Sequence, residues 1–383
     1  MSRGVLVMLA ACGRLGFGGR ADAPDGATES AQAGDAYAPC ATPGFVAAGV
    51  YPGGTLPPAV ALADMDHDGT LDAVIGSRDG VLLYPGRGDG SFGTATASAG
   101  VFVQALDVAD LDGDGFTDVA IVGSALCVMR NSGGSLGSCV SYATGTGPNA
   151  VSVGRLDSGG SVDVVVGNQI DNTIGIYLND GSAVLGSATI FGTGGTNGVF
   201  TALADLDGDG FADFAVTNLL SDNLGIRIGG GAGRPTTNPV TYGTGSHPST
   251  VRAGDLDGDG DLDLVVASRA SVDVFINDGS GRFAARVPYP TSASDTGEGR
   301  ALVLADFDRD GDLDVAASDP DDNSVGLYLN RGDGTFAPVT AFPIGHAPRH
   351  LASGDLDGDH RLDLVVAVQG ANQMAVLLGT CLP

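Results

Sequence analysis

Asp255-Leu256-Asp257-Gly258-Asp259-Gly260-Asp261-Leu262-Asp263 is the stretch on which the fold turns. Its frame, Asp-x-Asp-x-Asp-Gly-x-x-Asp between apolar flanks, recurs along the chain. The earlier copies are Asp64, Asp66, Asp68, Asp72; Asp110, Asp112, Asp114, Asp118; and Asp205, Asp207, Asp209, Asp213. The later ones are Asp306, Asp308, Asp310, Asp314 and Asp355, Asp357, Asp359, Asp363. A degenerate copy begins at Arg155. The starts at 64, 110, 155, 205, 255, 306 and 355 lie 45 to 51 residues apart. A period of this size marks an array of supersecondary units that cannot bury their apolar faces singly.

Outward from the acidic stretch, each unit reads as four short strands. In the fifth, Thr250-Val251-Arg252-Ala253 leads into the loop and Leu264-Val265-Val266-Ala267 leaves it. Val272-Asp273-Val274-Phe275-Ile276 follows, then a Gly-rich turn and a last strand near Phe283. The runs are short, rich in β-branched residues and bounded by Gly or Asp, with no helical period. Four strands in each of seven units predict an all-β fold, a seven-bladed propeller of antiparallel blades. The absence of Trp argues against the WD40 version of that plan.

The repeats resemble FG-GAP or VCBS-type repeats, found in the propeller of integrin α-subunits and in many bacterial surface proteins. The resemblance spans about residues 45–383 and rests on the acidic loop, since the Phe-Gly and Gly-Ala-Pro marks are mostly missing. It implies the propeller and a structural cation in each complete loop.

Calcium wants six to eight oxygens, and Asp at alternate positions of a curled loop turns three carboxylates inward. Gly at the sixth position permits the bend. The seventh-position carbonyl and the ninth-position Asp close the cage. Those carbonyls belong to Thr70, Phe116, Phe211, Asp261, Asp312 and Arg361. An EF-hand would need Glu at position twelve, where this chain has Ile75, Ile121, Val216, Val266, Ala317 and Val366. About six structural calcium ions are expected. The third loop, with Arg155, Asp157, Gly159 and Asp163, lacks two ligands and is expected to hold none. The seventh carries His360 in place of Gly.

The chain has 46 acids against 18 basic residues, a net charge of −28. Four acids in each of six loops account for much of the excess. Such charge opposes nucleic acid and anionic membrane surfaces as partners.

Residues 1–12 read as a signal peptide whose Leu9-Ala10-Ala11-Cys12 resembles the lipobox of bacterial lipoproteins, making Cys12 the lipidation site. Residues 13–39 read as a flexible tether and 40–383 as the propeller. The reading is an exported lipoprotein at the outer membrane or cell surface, or an extracellular protein, acting as a monomer and touching membrane only through its lipid.

With Cys12 lipidated, four cysteines remain. Cys127 and Cys139 flank a hairpin turn near Gly133 and are expected to pair. Cys40 and Cys381 are expected to close the ring. The last unit has only three strands, and Phe45-Val46-Ala47-Ala48 would supply its fourth.

Gly133-Gly134-Ser135-Leu136-Gly137 matches a nucleophile elbow but has no helix after it. Arg87-Gly88-Asp89 and Arg331-Gly332-Asp333 fall where turns want Gly and Asp. His247, His346 and His350 read as exposed residues of inter-blade loops. The longer hairpins Gln169-Ile170-Asp171-Asn172, Leu220-Ser221-Asp222-Asn223, Pro320-Asp321-Asp322-Asn323 and Gly370-Ala371-Asn372-Gln373 fall on the face opposite the acidic loops. The expected role is a non-enzymatic protein-interaction or adhesion module. A carbohydrate-binding lectin is the alternative, and a polysaccharide lyase or hydrolase a more distant one.

Overall fold

In the computed structural model, residues 39–291 and 300–381 are described. They form seven four-stranded antiparallel sheets. The proposed signal peptide with Cys12, and the tether up to residue 38, lie outside the described residues.

Six blades take their strands in sequence order. The first is Ala59–Ala63, Asp72–Ser77, Gly80–Tyr84 and Thr96–Ala99. The fifth is Val251–Gly254, Asp263–Ala267, Ser271–Phe275 and Val287–Pro290. Its outer strand thus begins beyond Phe283, where the sequence suggested it. Phe283 instead makes a single bridge to Asn277, and Ala284 N–H bonds to the Ile276 carbonyl before the strand proper starts.

The seventh blade is closed by the other end of the chain. Its three C-terminal strands are Pro348–Gly354, Asp363–Val368 and Gln373–Cys381, and Pro43–Pro52 adds the fourth. The register runs from Pro43 opposite Cys381 to Pro52 opposite Gln373, with a bulge between Ala47 and Gly49. Gly379 opposite Phe45 repeats the Asn330–Phe336 pairing of the sixth blade. Disulfides join Cys40 to Cys381 and Cys127 to Cys139, with Cα separations of 5.6 and 5.5 Å. Cys127 faces Ser141 in the ladder, so its bond to Cys139 runs diagonally across the two strands.

Second strands such as Val164-Val165-Val166 and Leu364-Val365-Val366 are buried on both faces. The apolar side chains form seven clusters, each shared by two adjacent blades. One joins Met65, Val74 and Leu83 of the first blade to Val108, Ile121 and Met129 of the second. Another joins Ala352, Val365 and Val376 of the seventh to Val60, Ile75 and Tyr84 of the first. Burying one such Val or Leu contributes roughly 1.5–3 kcal/mol, and none of it is available until the neighbouring blade is in place.

Polar bonds cross the same interfaces. Asn131, Asn179, Asn277 and Asn330 each stand two residues past the third strand of their blade and are buried. Each side-chain amide donates to a carbonyl in the acidic loop of the preceding blade: Met65, Leu111, Leu206 and Leu256, at 2.6–2.8 Å. Nearer the axis, Ser152 Oγ donates to the Thr201 carbonyl, and Val153 N–H donates to Asp107. His350, expected in an exposed loop, sits on the inner strand of the seventh blade and is buried. Its Nδ1 accepts the Val60 N–H across the closing interface, and burial lowers its pKa to about 4. His346 is exposed and His247 half-buried, both in inter-blade loops.

Asn277→Ala removes bonds to the Leu206 and Leu262 carbonyls and should cost about 1–3 kcal/mol in urea unfolding. Asn238→Ala, at an exposed position, should stay within about 0.5 kcal/mol.

Candidate metal centre

Each acidic loop connects the first and second strands of its blade. In the six complete loops the backbone curls by one scheme. The sixth-position N–H donates to the first Asp: Gly69 to Asp64, Gly115 to Asp110, Gly210 to Asp205, Gly260 to Asp255, Gly311 to Asp306 and His360 to Asp355. The fifth-position N–H donates to the third-position Asp, as Asp68 does to Asp66. The seventh-position N–H donates to the fifth-position Asp, as Thr70 does to Asp68 at 2.8 Å.

Two positions per loop need a left-handed backbone. The sixth is the one the sequence marked; Gly115 has φ +96° and His360 takes φ +64°. The fourth was missed. It has φ +75° at Gly113 and +76° at Gly258, and His67 and Arg309 accept +62° and +65°. Gly at position four in several copies was the available signal.

The loops gather their carboxylates. Ligand oxygens of Asp64, Asp66 and Asp72 lie within 4.8 Å of one another. So do those of Asp110, Asp112 and Asp118; Asp205, Asp207 and Asp213; and Asp306, Asp308 and Asp314. In the fifth blade the first, third and fifth Asp are grouped instead: Asp255, Asp257 and Asp259. Burial, then like charge from Asp310 and Asp306, pushes Asp308 up to about 6. These residues suit a hard cation: acceptor-only oxygens, crowded and mutually repelling. Asp64 Oδ1 is buried without a hydrogen-bond partner in the protein, as a metal ligand would be.

The ninth Asp has a second task. In every blade its Oδ2 accepts the second-position N–H, and its Oδ1 accepts an N–H at the end of the third strand. Asp118 holds Leu111 and Asn131 at 3.0 and 2.8 Å, and Asp363 holds Leu356 and Gly379 at 2.7 Å each. The degenerate third loop keeps this arrangement: Asp163 holds Leu156 and Asn179 at 3.0 and 2.9 Å. Asp163 therefore has a hydrogen-bonding task in a loop with Arg155 and Gly159 at its first and fifth positions. Arg155 is exposed there, and Asp157 accepts the Gly159 N–H. In the seventh loop Arg361 Nη1 lies 2.6 Å from Asp359, so a built-in cation already meets one carboxylate.

On the opposite face stand the Asp and Asn residues of the longer hairpins. Their oxygens are largely spent on the adjoining linkers. Asp171 accepts Thr146 N–H at 2.6 Å, Asp222 accepts His247 N–H at 2.8 Å, Asn323 accepts Ala347 N–H at 2.9 Å and Asn372 accepts Leu56 N–H at 2.7 Å. The two Arg-Gly-Asp tripeptides are turns: Asp89 and Asp333 accept the N–H groups of Ser91 and Thr335.

An FG-GAP-like repeat profile matches residues 64–121, 255–317 and 306–366. Each match runs from one acidic loop to the second strand of the next blade, so the sequence repeat straddles the interface. No curated protein matches the chain. Among solved structures, a lectin of Agrocybe aegerita that recognises non-reducing terminal N-acetylglucosamine is 19% identical, with a TM-score of 0.53 over 79% of this chain and 80% of that one. Virginiamycin B lyase from Staphylococcus aureus is 13% identical, with a TM-score of 0.56 over 84% and 94%. A BBS1N–ARL6DN complex gives 13% and 0.61 over 87% and 96%. At these identities the likeness is one of fold.

Asp163→Ala leaves two buried N–H groups unpaired and should cost about 2–5 kcal/mol, by the same amount in calcium and in chelator. Burial pushes Asp72, Asp118, Asp163 and Asp263 up to about 6, and Asp213, Asp314 and Asp363 up to about 7. Between the ordinary carboxylate value and those values the folded chain holds protons that the unfolded chain has released. Stability therefore falls as pH rises through that window. In chelator the melting temperature should fall from about pH 4.5 to about pH 7.5. In calcium the trend should reverse, because the cation binds the deprotonated ligands.

Proposed function

We propose that this chain is an exported propeller, stapled by calcium in its six complete acidic loops, that presents the face opposite those loops to a protein partner as an adhesion or interaction module. Two disulfides fit an oxidising compartment. No helix among the described residues is long and apolar enough to cross a membrane. The chain enters the propeller at Cys40, whose N–H meets the Asp308 carbonyl of the sixth acidic loop. A tether anchored at Cys12 would therefore hold the acidic-loop face toward the membrane and turn the hairpin face outward.

The observation that carries the choice of partner is the chemistry of those hairpin tips. At the tips of the third and fourth blades Ile170 and Leu220 project, 65% and 62% exposed, beside Asp171 and Asp222, each of which gives one oxygen to a backbone N–H. Exposed aliphatic anchors suit a protein surface better than a sugar's hydroxyls. The lectin reading stays as the alternative, supported by fold likeness alone. A cation saturated by protein oxygens in these loops would offer no open position for a reaction.

Calcium binding to the native state alone adds about 2.7 kcal/mol per site at a hundredfold excess over Kd, so chelation should lower the melting temperature by many degrees. Metal analysis should return about six ions per chain. Calcium-dependent adhesion to target cells should be lost on protease treatment of those cells and with Ile170→Asp plus Leu220→Asp. Adhesion lost to glycosidases, or a strong glycan-array signal, would favour the lectin.

A further inference from the structure

The acidic loop of one blade is covered by the turn between the third and fourth strands of the next. Gly134 N–H bonds to the Met65 carbonyl, Ala183 to Leu111, Gly233 to Leu156, Gly334 to Leu256 and Gly90 to Leu356. In each case the donor belongs to a continuous hairpin. At the sixth loop that hairpin does not exist, because the third and fourth strands of the seventh blade come from opposite ends of the chain.

What covers the sixth loop is the N-terminal arm. Cys40 N–H donates to the Asp308 carbonyl at 2.5 Å, and Cys40 is 4% exposed. Phe45 sets its ring edge-on against Phe307, the second residue of that loop, at 5.8 Å, and against Phe342 at 5.2 Å. Apart from the main chain itself, the Cys40–Cys381 disulfide is the covalent tie among the described residues between the arm and the strand it pairs with.

We infer that the sixth acidic loop, Asp306 to Asp314, is a redox-sensitive cation site: its order depends on the Cys40–Cys381 bond, whereas the other loops are covered by uninterrupted chain. This rests on the calcium reading above. Reduction by a dithiol such as dithiothreitol transfers two electrons to the disulfide. The reagent's thiolate attacks one sulfur, its second thiol closes a cyclic disulfide, and Cys40 and Cys381 leave as thiols after taking protons from solvent. The arm is then held by strand pairing alone. Whatever fraction of time it is undocked, the sixth loop lacks its cover, and its apparent affinity falls by that fraction. By reciprocity, calcium at this loop favours the docked arm.

The test is calcium titration by chelator competition on the full chain, comparing the wild type, the wild type treated with dithiothreitol, and Cys40→Ser with Cys381→Ser. One site should weaken by about tenfold or more while the others keep their affinities. Cys127→Ser with Cys139→Ser should leave every site unchanged. Adding Asp306→Asn and Asp310→Asn should remove the same site and make the Cys40/Cys381 substitutions silent toward the rest. Should the open ring unfold, Phe45→Leu loosens the arm with the disulfide intact, and a smaller loss at the same site is expected. Equal weakening of all sites, or none, overturns the inference. A wild type that binds no calcium instead overturns the reading beneath it.

Discussion

A blade of this protein is apolar on both faces and can be dried only by two other blades. Each of the seven apolar clusters belongs to a pair of neighbours. The unit of stability is therefore the interface, and the series of interfaces has to close on itself. An open row would leave the Val60 and Ile75 side of the first blade and the Ala352, Val365 and Val376 side of the sheet at the other end against water. The strand from Pro43 to Pro52 answers this by joining the first residues of the fold to the last sheet.

The acidic loops lie on these interfaces. In every loop but the sixth, the second-position carbonyl accepts from the next blade, through a buried Asn side chain, a turn N–H, or both. The ninth-position Asp holds the loop to its own blade's third strand. A cation that fixes the loop thereby fixes the acceptor the neighbour needs. In the third blade Asp163 keeps these hydrogen bonds, and Arg155 and Gly159 stand at the positions of the first and fifth Asp.

The fold was legible because its signals are local and repeated. Seven acidic frames gave the blade count, short β-branched runs gave the strands, and the missing fourth strand of the last unit led to Phe45 and to the pairing of Cys40 with Cys381. Less legible were features that depend on a neighbour in space. Repeat register places His350 where Thr250 stands, on the strand entering the loop, but its buried bond to the Val60 N–H depends on the closing interface. Asn131, Asn179, Asn277 and Asn330 resemble ordinary turn residues until the preceding blade's carbonyl is placed beside them. That the hairpin Asp and Asn oxygens hold the adjoining linkers is likewise invisible until those linkers are placed beside them.

The central claim is that cations in the acidic loops hold blade to blade. Residue-resolved amide hydrogen exchange, in calcium and in chelator, examines it bond by bond. Gly90, Gly134, Ala183 and Gly334 donate to complete loops, and Gly233 donates to the degenerate third loop. Chelation should strip protection from the first four and largely spare Gly233. Equal loss at all five, or protection unchanged by chelation, would contradict it.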